Sequence, residues 1–281
     1  MMMSLMSKLS ATILVSSLSL FAATDAEVTS FLQKQIGANK SVSNLKIKVT
    51  NRTPVKELKG WDSVIVNLTA HVKQGKQERD IEQQMIYFVH GDYITKEFNN
   101  IKTGAPLSSS ISPEFESGFY SKENLISGNA NAKHKIAIFS DPLCPFCRKF
   151  VPEAIEYMKK YPEQFAVYYY HFPLPALHPA SVTLTKAAIA LEQKGVKGKT
   201  LDMYKVQINA REMDEKKILD AFNQAVGSDI TVDDIHRPAV EKQFKHDKHV
   251  AAQVMVQGTP TMFFDGKKDG SKNKYKQVKV K

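Results

Sequence analysis

Lys135-Ile136-Ala137-Ile138-Phe139-Ser140-Asp141-Pro142-Leu143-Cys144-Pro145-Phe146-Cys147 runs from an apolar segment through an Asp-Pro turn into the chain's only two cysteines. Beyond Phe146 the spacing changes. Phe150, Val151, Ala154, Ile155 and Met158 recur at helical intervals, which predicts a helix over 146–160. More than a hundred residues later, Gly258-Thr259-Pro260-Thr261 precedes a second apolar run, Met262-Phe263-Phe264. The order is strand, C-x-x-C, helix, then a distant Thr-Pro ahead of a strand. It describes a pair of thiols held at the start of a helix.

Two other uses of a C-x-x-C fit poorly. A disulfide between residues three apart closes too small a loop to stabilise much, since the gain grows with loop length. Zinc takes four protein ligands, or three plus water, and a lone C-x-x-C supplies two. His134, His171 and His178 have no metal-ligand spacing to the pair. A redox dithiol is the expectation, with no metal and no cofactor implied.

Residues 1–26 read as a secretory signal peptide: Lys8 near the start, a serine-diluted apolar segment over 9–21, then small residues, with cleavage after Ala22 or Ala26. The alternative is an N-terminal membrane anchor, for which the segment is short against the ~20 residues of a span. No cysteine lies there, which excludes a lipoprotein. Export places the dithiol in an oxidising compartment, and the periplasm is expected. The formal charge of +10 is concentrated at the C-terminus, where residues 267–281 hold seven lysines and one aspartate. With no arginine cluster and no interleaved aromatics, no nucleic-acid partner is implied. A solvated basic edge or tail is expected, with attraction to anionic lipid as the alternative.

The 281 residues suit about two domains at roughly 150 residues each. Residues 27–40 form an amphipathic helix pattern, with Val28, Phe31, Leu32 and Ile36 on one face. The period then becomes two: Val64, Val66, Leu68, Ala70 and Val72 share a face, and strand patterns follow over 81–89 and 93–98. Residues 27–101 are therefore expected to be a small α+β domain. Residues 102–132 are rich in Ser, Gly, Pro and Asn, and Phe115, Phe119, Leu125 and Ile126 suggest a connecting helix. The second domain is expected over 133–281, with strands at 135–140, 164–172 and 261–264. A helical insertion occupies about 176–250, and an edge strand lies at 275–280.

At the start of a helix, Cys144 would have its sulfur near unsatisfied N–H groups and the positive end of the dipole, both of which favour the thiolate that attacks a disulfide. Pro145 suits the first helical position. Cys144 should be the exposed nucleophile and Cys147 the buried residue that resolves the mixed disulfide. A cis bond before Pro260 would bring the Thr259 backbone beside the sulfurs, free to pair with an extended substrate segment. An ordinary trans proline opening a strand is the alternative. Pro152 lies where proline disrupts a helix, so the helix either kinks or ends there.

With these residues in view, the chain resembles the periplasmic disulfide-bond (Dsb) proteins of the thioredoxin superfamily. Residues 136–147 and Gly258-Thr259-Pro260 look like the DsbC/DsbG branch, as do the order and size of the N-terminal domain and linker. His171-Phe172-Pro173-Leu174 and the long helical stretch look more like DsbA-type oxidases. The resemblance implies an α/β thioredoxin fold with a helical insertion, preceded by a small α+β dimerisation domain and linker helix. It also implies a V-shaped homodimer. Cys144 and Cys147 would be the catalytic pair around the Pro145-Phe146 dipeptide, and Thr259 and Pro260 the loop that binds substrate. Two departures stand out. Ile138, six residues before Cys144, occupies the place of a buried acid, so proton transfer to Cys147 needs another route. The chain also leaves no room for the usual final helix.

The expected function is a periplasmic thiol:disulfide oxidoreductase that introduces or isomerises disulfides in exported cysteine-containing proteins. A membrane redox partner, either a quinone-linked reoxidase or an electron-donating reductase, would reset the pair. The insertion favours an oxidase and the dimer domain an isomerase, with the balance towards oxidase. The alternative is a dimeric periplasmic chaperone, or a DsbG-like reductase of oxidised cysteines with little net oxidase activity.

Overall fold

A computed structural model gives the fold and describes residues 23–75 and 77–280. The leader expected over 1–26 lies mostly outside the described residues. Its last four positions do not: Thr24 is the N-cap of α1 (Asp25–Gly37) and forms a reciprocal capping box with Glu27. Of the two cleavage sites expected, the one after Ala22 leaves that cap intact. Among the described residues no helix is long and apolar enough to cross a membrane.

Four antiparallel strands follow in meander order: β1 (Val42–Pro54), β2 (Asp62–Gln74), β3 (Gln77–His90) and β4 (Tyr93–Thr95). The alternation in β2 does what its period predicts. Val64, Val66, Leu68 and Ala70 form one buried face, closed by Val28 and Leu32 of α1. Phe31, expected on the same helix face, is 42% exposed instead. β1 carries no strong sequence signal: only Ile47 is buried along it, and two register shifts interrupt its pairing with β2.

The linker differs from expectation. No α-helix lies within 102–132; two short 3-10 turns (Leu107–Ser110 and Ser117–Phe119) and a strand, β5 (Leu125–Ser127), lie there instead. Pro113, Ser117, Gly118 and Ser121 sustain a helix poorly, and the aromatic residues among them have another task. Phe115 is buried against Phe139, Tyr170 and Phe263 of the second sheet, and its N–H donates to Gly266 O at 2.7 Å. The second domain therefore begins well before residue 133.

That domain holds a mixed sheet in the order β5-β7-β6-β8-β9. β6 (His134–Ser140) and β7 (Phe165–His171) are parallel at its centre, and β8 (Thr261–Phe264) runs antiparallel to β6, with β9 (Lys267–Lys268) outside it. Both faces of the central strands are covered, which explains their unbroken apolar runs. Ile136, Ile138, Val167 and Tyr169 face α2 (Pro145–Lys159) and the insertion, whereas Ala137, Phe139, Tyr168 and Tyr170 face the linker aromatics and the last insertion helix. The insertion comprises α3 (Ala180–Gln193), a 3-10 segment (Lys197–Lys205), α4 (Glu215–Val226), α5 (Val232–Ile235) and α6 (Pro238–Gln253). This is the thioredoxin fold with a helical insertion, preceded by an α+β unit.

The C-terminus also departs from expectation. In place of an edge strand over 275–280 there is a single helical turn, α7 (Lys274–Gln277). Buried Asp269 sets it up by accepting hydrogen bonds from the Ser271 and Lys274 N–H groups, and Tyr275 then enters the core edge-on to Tyr157. Part of the basic segment is thus built into the fold rather than forming a solvated tail.

Candidate functional site

The two cysteines lie where β6 ends and α2 begins. Cys144 is the N-cap of α2 with extended backbone (φ −66°, ψ 122°), and Pro145 stands inside the first turn. The helix continues through Pro152 to Lys159, placing Cys147, Val151, Ala154, Ile155 and Met158 on its buried side. Both thiols are free. Cys147 is fully buried, as expected. Cys144 is not the exposed residue anticipated: it retains 5% of its surface, and Phe146 beside it is 75% exposed. The covering comes from the loop before β8, where the Thr259–Pro260 bond is cis. The Cys144 thiol donates to the Thr259 carbonyl at 3.6 Å. All six residues expected at the site therefore come together, with Pro145 and Phe146 on the helix and Thr259 and Pro260 on the facing loop.

Burial pushes the Cys147 thiol up to about 12, while hydrogen bonding from the side chains of Ser140 and Thr259 and from the Asp141 backbone acts in the opposite direction. The Thr259 hydroxyl is buried with no hydrogen-bond partner. The Ser140 hydroxyl continues into a chain: it is 2.6 Å from the Tyr204 hydroxyl, which is 2.6 Å from that of Tyr169.

Asp141 is fully buried three residues before Cys144. Its carboxylate accepts the N–H groups of Leu143 (2.7 Å) and Leu174 (2.8 Å) and pairs with His178 Nδ1 (3.0 Å). Arg148 donates to the carbonyls of Pro142 (3.0 Å) and Val206 (2.6 Å), fastening the insertion to the start of α2. The three histidines weighed as metal ligands are engaged separately: His134 with Asp265, His171 with Glu192 and His178 with Asp141. Among the described residues, no group of three or more His, Cys, Asp or Glu side chains is placed to hold a metal ion.

Sequence reading missed Tyr169, Tyr204, Arg148 and the role of Ser140. Ser140 and Asp141 were visible beside the cysteines, but Tyr204 sits in the insertion, 64 residues from its partner, with no motif to flag it.

No curated protein matches the chain. A thioredoxin family model matches residues 120–280. Among solved structures, the chain is similar to a thioredoxin-like oxidoreductase from Silicibacter pomeroyi DSS-3 (17% identity, TM-score 0.41), covering 57% of this chain and 99% of that one. It is similar to the catalytic domain of Proteus mirabilis ScsC (22% identity, TM-score 0.41), covering 56% and 89%. It is also similar to BdbD from Bacillus subtilis (14% identity, TM-score 0.45), covering 60% and 93%.

Proposed function

Since the chain belongs to the thioredoxin family, we propose that it is a periplasmic thiol:disulfide oxidoreductase acting on exported proteins through Cys144 and Cys147. The observation that carries this reading is the arrangement at the start of α2: Cys147 is sealed within the helix, Cys144 is its N-cap with 5% of its surface left, and the Thr259 carbonyl of the cis-proline loop is 3.6 Å from the Cys144 sulfur. In the oxidised form, a substrate thiolate attacks Cys144, and Cys147 leaves. A second substrate thiol then displaces Cys144, so the substrate gains a disulfide and the pair takes up two electrons. Run backwards, the same steps reduce a disulfide; run with one substrate's own thiols, they reshuffle it. No resident cofactor is needed, because the two sulfurs carry both electrons. The pair needs a membrane partner to reset it.

The balance lies with oxidation, resting on the helical insertion that follows β7. Equilibration with a glutathione buffer tests the direction. A potential near about −120 mV supports a disulfide donor, and one near about −270 mV makes the protein a reductant and overturns the oxidase reading. A Cys147→Ala variant that traps no mixed disulfide with exported proteins would overturn the exchange reading itself.

A second reading, a dimeric chaperone, draws on the N-terminal unit. Phe31 and Tyr93 (42% and 74% exposed) line an open groove between α1 and β4 with Val28, Val89 and Ile94, and Glu27 and Asp92 also border it. That groove fits self-association of the 27–101 unit. If a Cys144→Ser variant keeps full suppression of aggregation and complements in the cell, chaperoning is the main role.

A further inference from the structure

The positive charge of the C-terminal segment has a defined place in the fold. α7 lies beside α2: Tyr275 packs edge-on against Tyr157, the Lys276 ammonium is 2.9 Å from Glu153 Oε1, and Val278 and Val280 pack on the core that the inner side of α2 joins. The outer side of α2 therefore continues into residues 274–279. Lys149, Glu153, Glu156 and Lys160 recur at helical spacing along that outer side, and all four are exposed, as is Lys159. Lys274, Lys276 and Lys279 are exposed next to them. The face presents these six lysines against two glutamates, and the next acid, Glu163, lies past the helix end. Of the six, only Lys276 is within ion-pairing distance of a carboxylate among the described residues.

We propose that this face docks on the anionic phospholipid surface of a membrane. Its charge is spread rather than focused: Lys149 to Lys160 spans about 16 Å of helix, and the adjoining turn extends it sideways. Lysine is a hydrated point charge on a flexible stem, which suits the diffuse charge of many headgroups. A carboxylate on a folded partner is better matched by the planar fork of arginine. The one arginine of α2 is turned to other work, since Arg148 donates to the carbonyls of Pro142 and Val206. Attraction of this kind falls off within a Debye length, so the docking is reversible and sensitive to salt.

Docking has a consequence for the redox site. Cys144 caps the N-terminal end of the same helix, and Phe146, 75% exposed, stands one turn before Lys149 at the rim of the basic face. A bilayer against that face holds the thiol end of α2 close to the membrane, where the partner that resets the pair works. Binding itself does not depend on the exchange reading. The insertion offers an internal control: α6 also exposes Lys242, Lys245 and Lys248, but it packs by Val250, Ala251 and Val254 on the opposite side of the sheet from α2.

The test is flotation of the protein lacking its leader with vesicles of phosphatidylcholine containing about 30% phosphatidylglycerol. The protein is expected to float with these vesicles and to stay behind with phosphatidylcholine alone. Raising the salt from about 0.05 M to about 0.5 M should release it. Lys159→Gln, Lys274→Gln and Lys279→Gln combined should weaken binding about a hundredfold, at about fivefold per lysine. Lys276 is left in place so that its pair with Glu153 survives. Lys242→Gln, Lys245→Gln and Lys248→Gln combined remove the same charge from α6 and should weaken binding less than about threefold. No binding to the anionic vesicles, equal binding to phosphatidylcholine alone, or equal weakening by the two triple variants would each overturn the proposal, the last by showing that net charge acts without a face. Should the first triple variant fail to fold, Lys159→Gln with Lys279→Gln carries the same comparison against Lys242→Gln with Lys248→Gln.

Discussion

His178 Nδ1 lies 3.0 Å from Asp141 Oδ2, and the same carboxylate oxygen accepts the Leu174 N–H at 2.8 Å. One buried side chain therefore holds the segment between β7 and α3 against the turn that presents Cys144. Its other oxygen takes the Leu143 N–H, within that turn itself. The Asp of the Ser140-Asp141-Pro142-Leu143 stretch is thus an anchor for two loops.

Removing the anchor should be expensive. Asp141→Ala leaves two N–H groups and an imidazole without their acceptor, each worth about 1–3 kcal/mol when buried, so a loss of about 3 kcal/mol is expected in urea denaturation. Asp141→Asn, with one acceptor oxygen left, should lose roughly half of that. A loss below about 1 kcal/mol for the alanine variant would show that the two loops hold each other without the carboxylate.

The two thiols should differ sharply in chemical reactivity. Cys147 is fully buried and its thiol is pushed up to about 12, first by burial, so at pH 8 it remains protonated and out of reach. Reduced native protein treated with iodoacetamide at pH 8 is expected to carry one adduct, on Cys144, by peptide mass spectrometry. A second adduct is expected only after unfolding. Native modification of Cys147 at a rate like that of Cys144 would contradict the buried geometry.

How much of this was legible depends on how local the signal was. The β6–α2 junction, the Thr259–Pro260 loop and the apolar face of β2 are written in short, periodic stretches, and they appear where their spacing puts them. Phe115 and Phe119 look like a helix face because they are two aromatics four apart, whereas Phe115 packs on Phe139 and Tyr170 of the second sheet and Phe119 packs on Phe115. Tyr275 misled in the same way: alternation with lysines suggests a strand, but Asp269 folds the segment so that the ring meets Tyr157. Tyr204 carries no local signal at all. Its role exists only because the insertion brings it to Ser140, and the sequence between them says nothing of that meeting.

The N-terminal unit should associate. Phe31 and Tyr93 expose apolar rings on adjoining elements, α1 and β4, beside a strand only three residues long that leaves most of the outer edge of β3 without a partner in its sheet. A second copy of the unit is the proposed occupant. Sedimentation equilibrium of the protein lacking its leader is expected to give the dimer mass, and Phe31→Glu with Tyr93→Asp the monomer mass with unchanged circular dichroism. A monomeric wild type at micromolar concentration would sink the dimer.

Stability should fall, not rise, between pH 5 and pH 8, because of a buried acid in α6. Asp247 of α6 accepts the His171 N–H at 3.0 Å, the Asn124 amide at 2.8 Å and the Gln243 amide at 2.8 Å, yet burial raises its carboxyl to about 6. An acid with a raised folded value holds a proton that the unfolded chain has released. Its contribution is therefore greatest below the unfolded value near 3.8 and is lost as pH rises through about 6. His171 adds to the same slope. Burial lowers its affinity for a proton, but Glu192 and Asp247 outweigh that and raise it, so its contribution is present below 6.5 and lost as pH climbs past its folded value. The carboxylates held low, such as Glu97 and Asp234, act with the opposite sign, but only below their unfolded values of 4.5 and 3.8. Urea midpoints measured at half-unit steps should thus decline from pH 5 to pH 8 in the wild type. Asp247→Asn cannot ionise, so it should flatten the part of the decline that lies near pH 6, even if it lowers the whole curve by disturbing three hydrogen bonds. A wild-type midpoint that climbs over this range, or an Asp247→Asn curve parallel to it, would show that the cluster does not titrate in the folded protein as its burial implies.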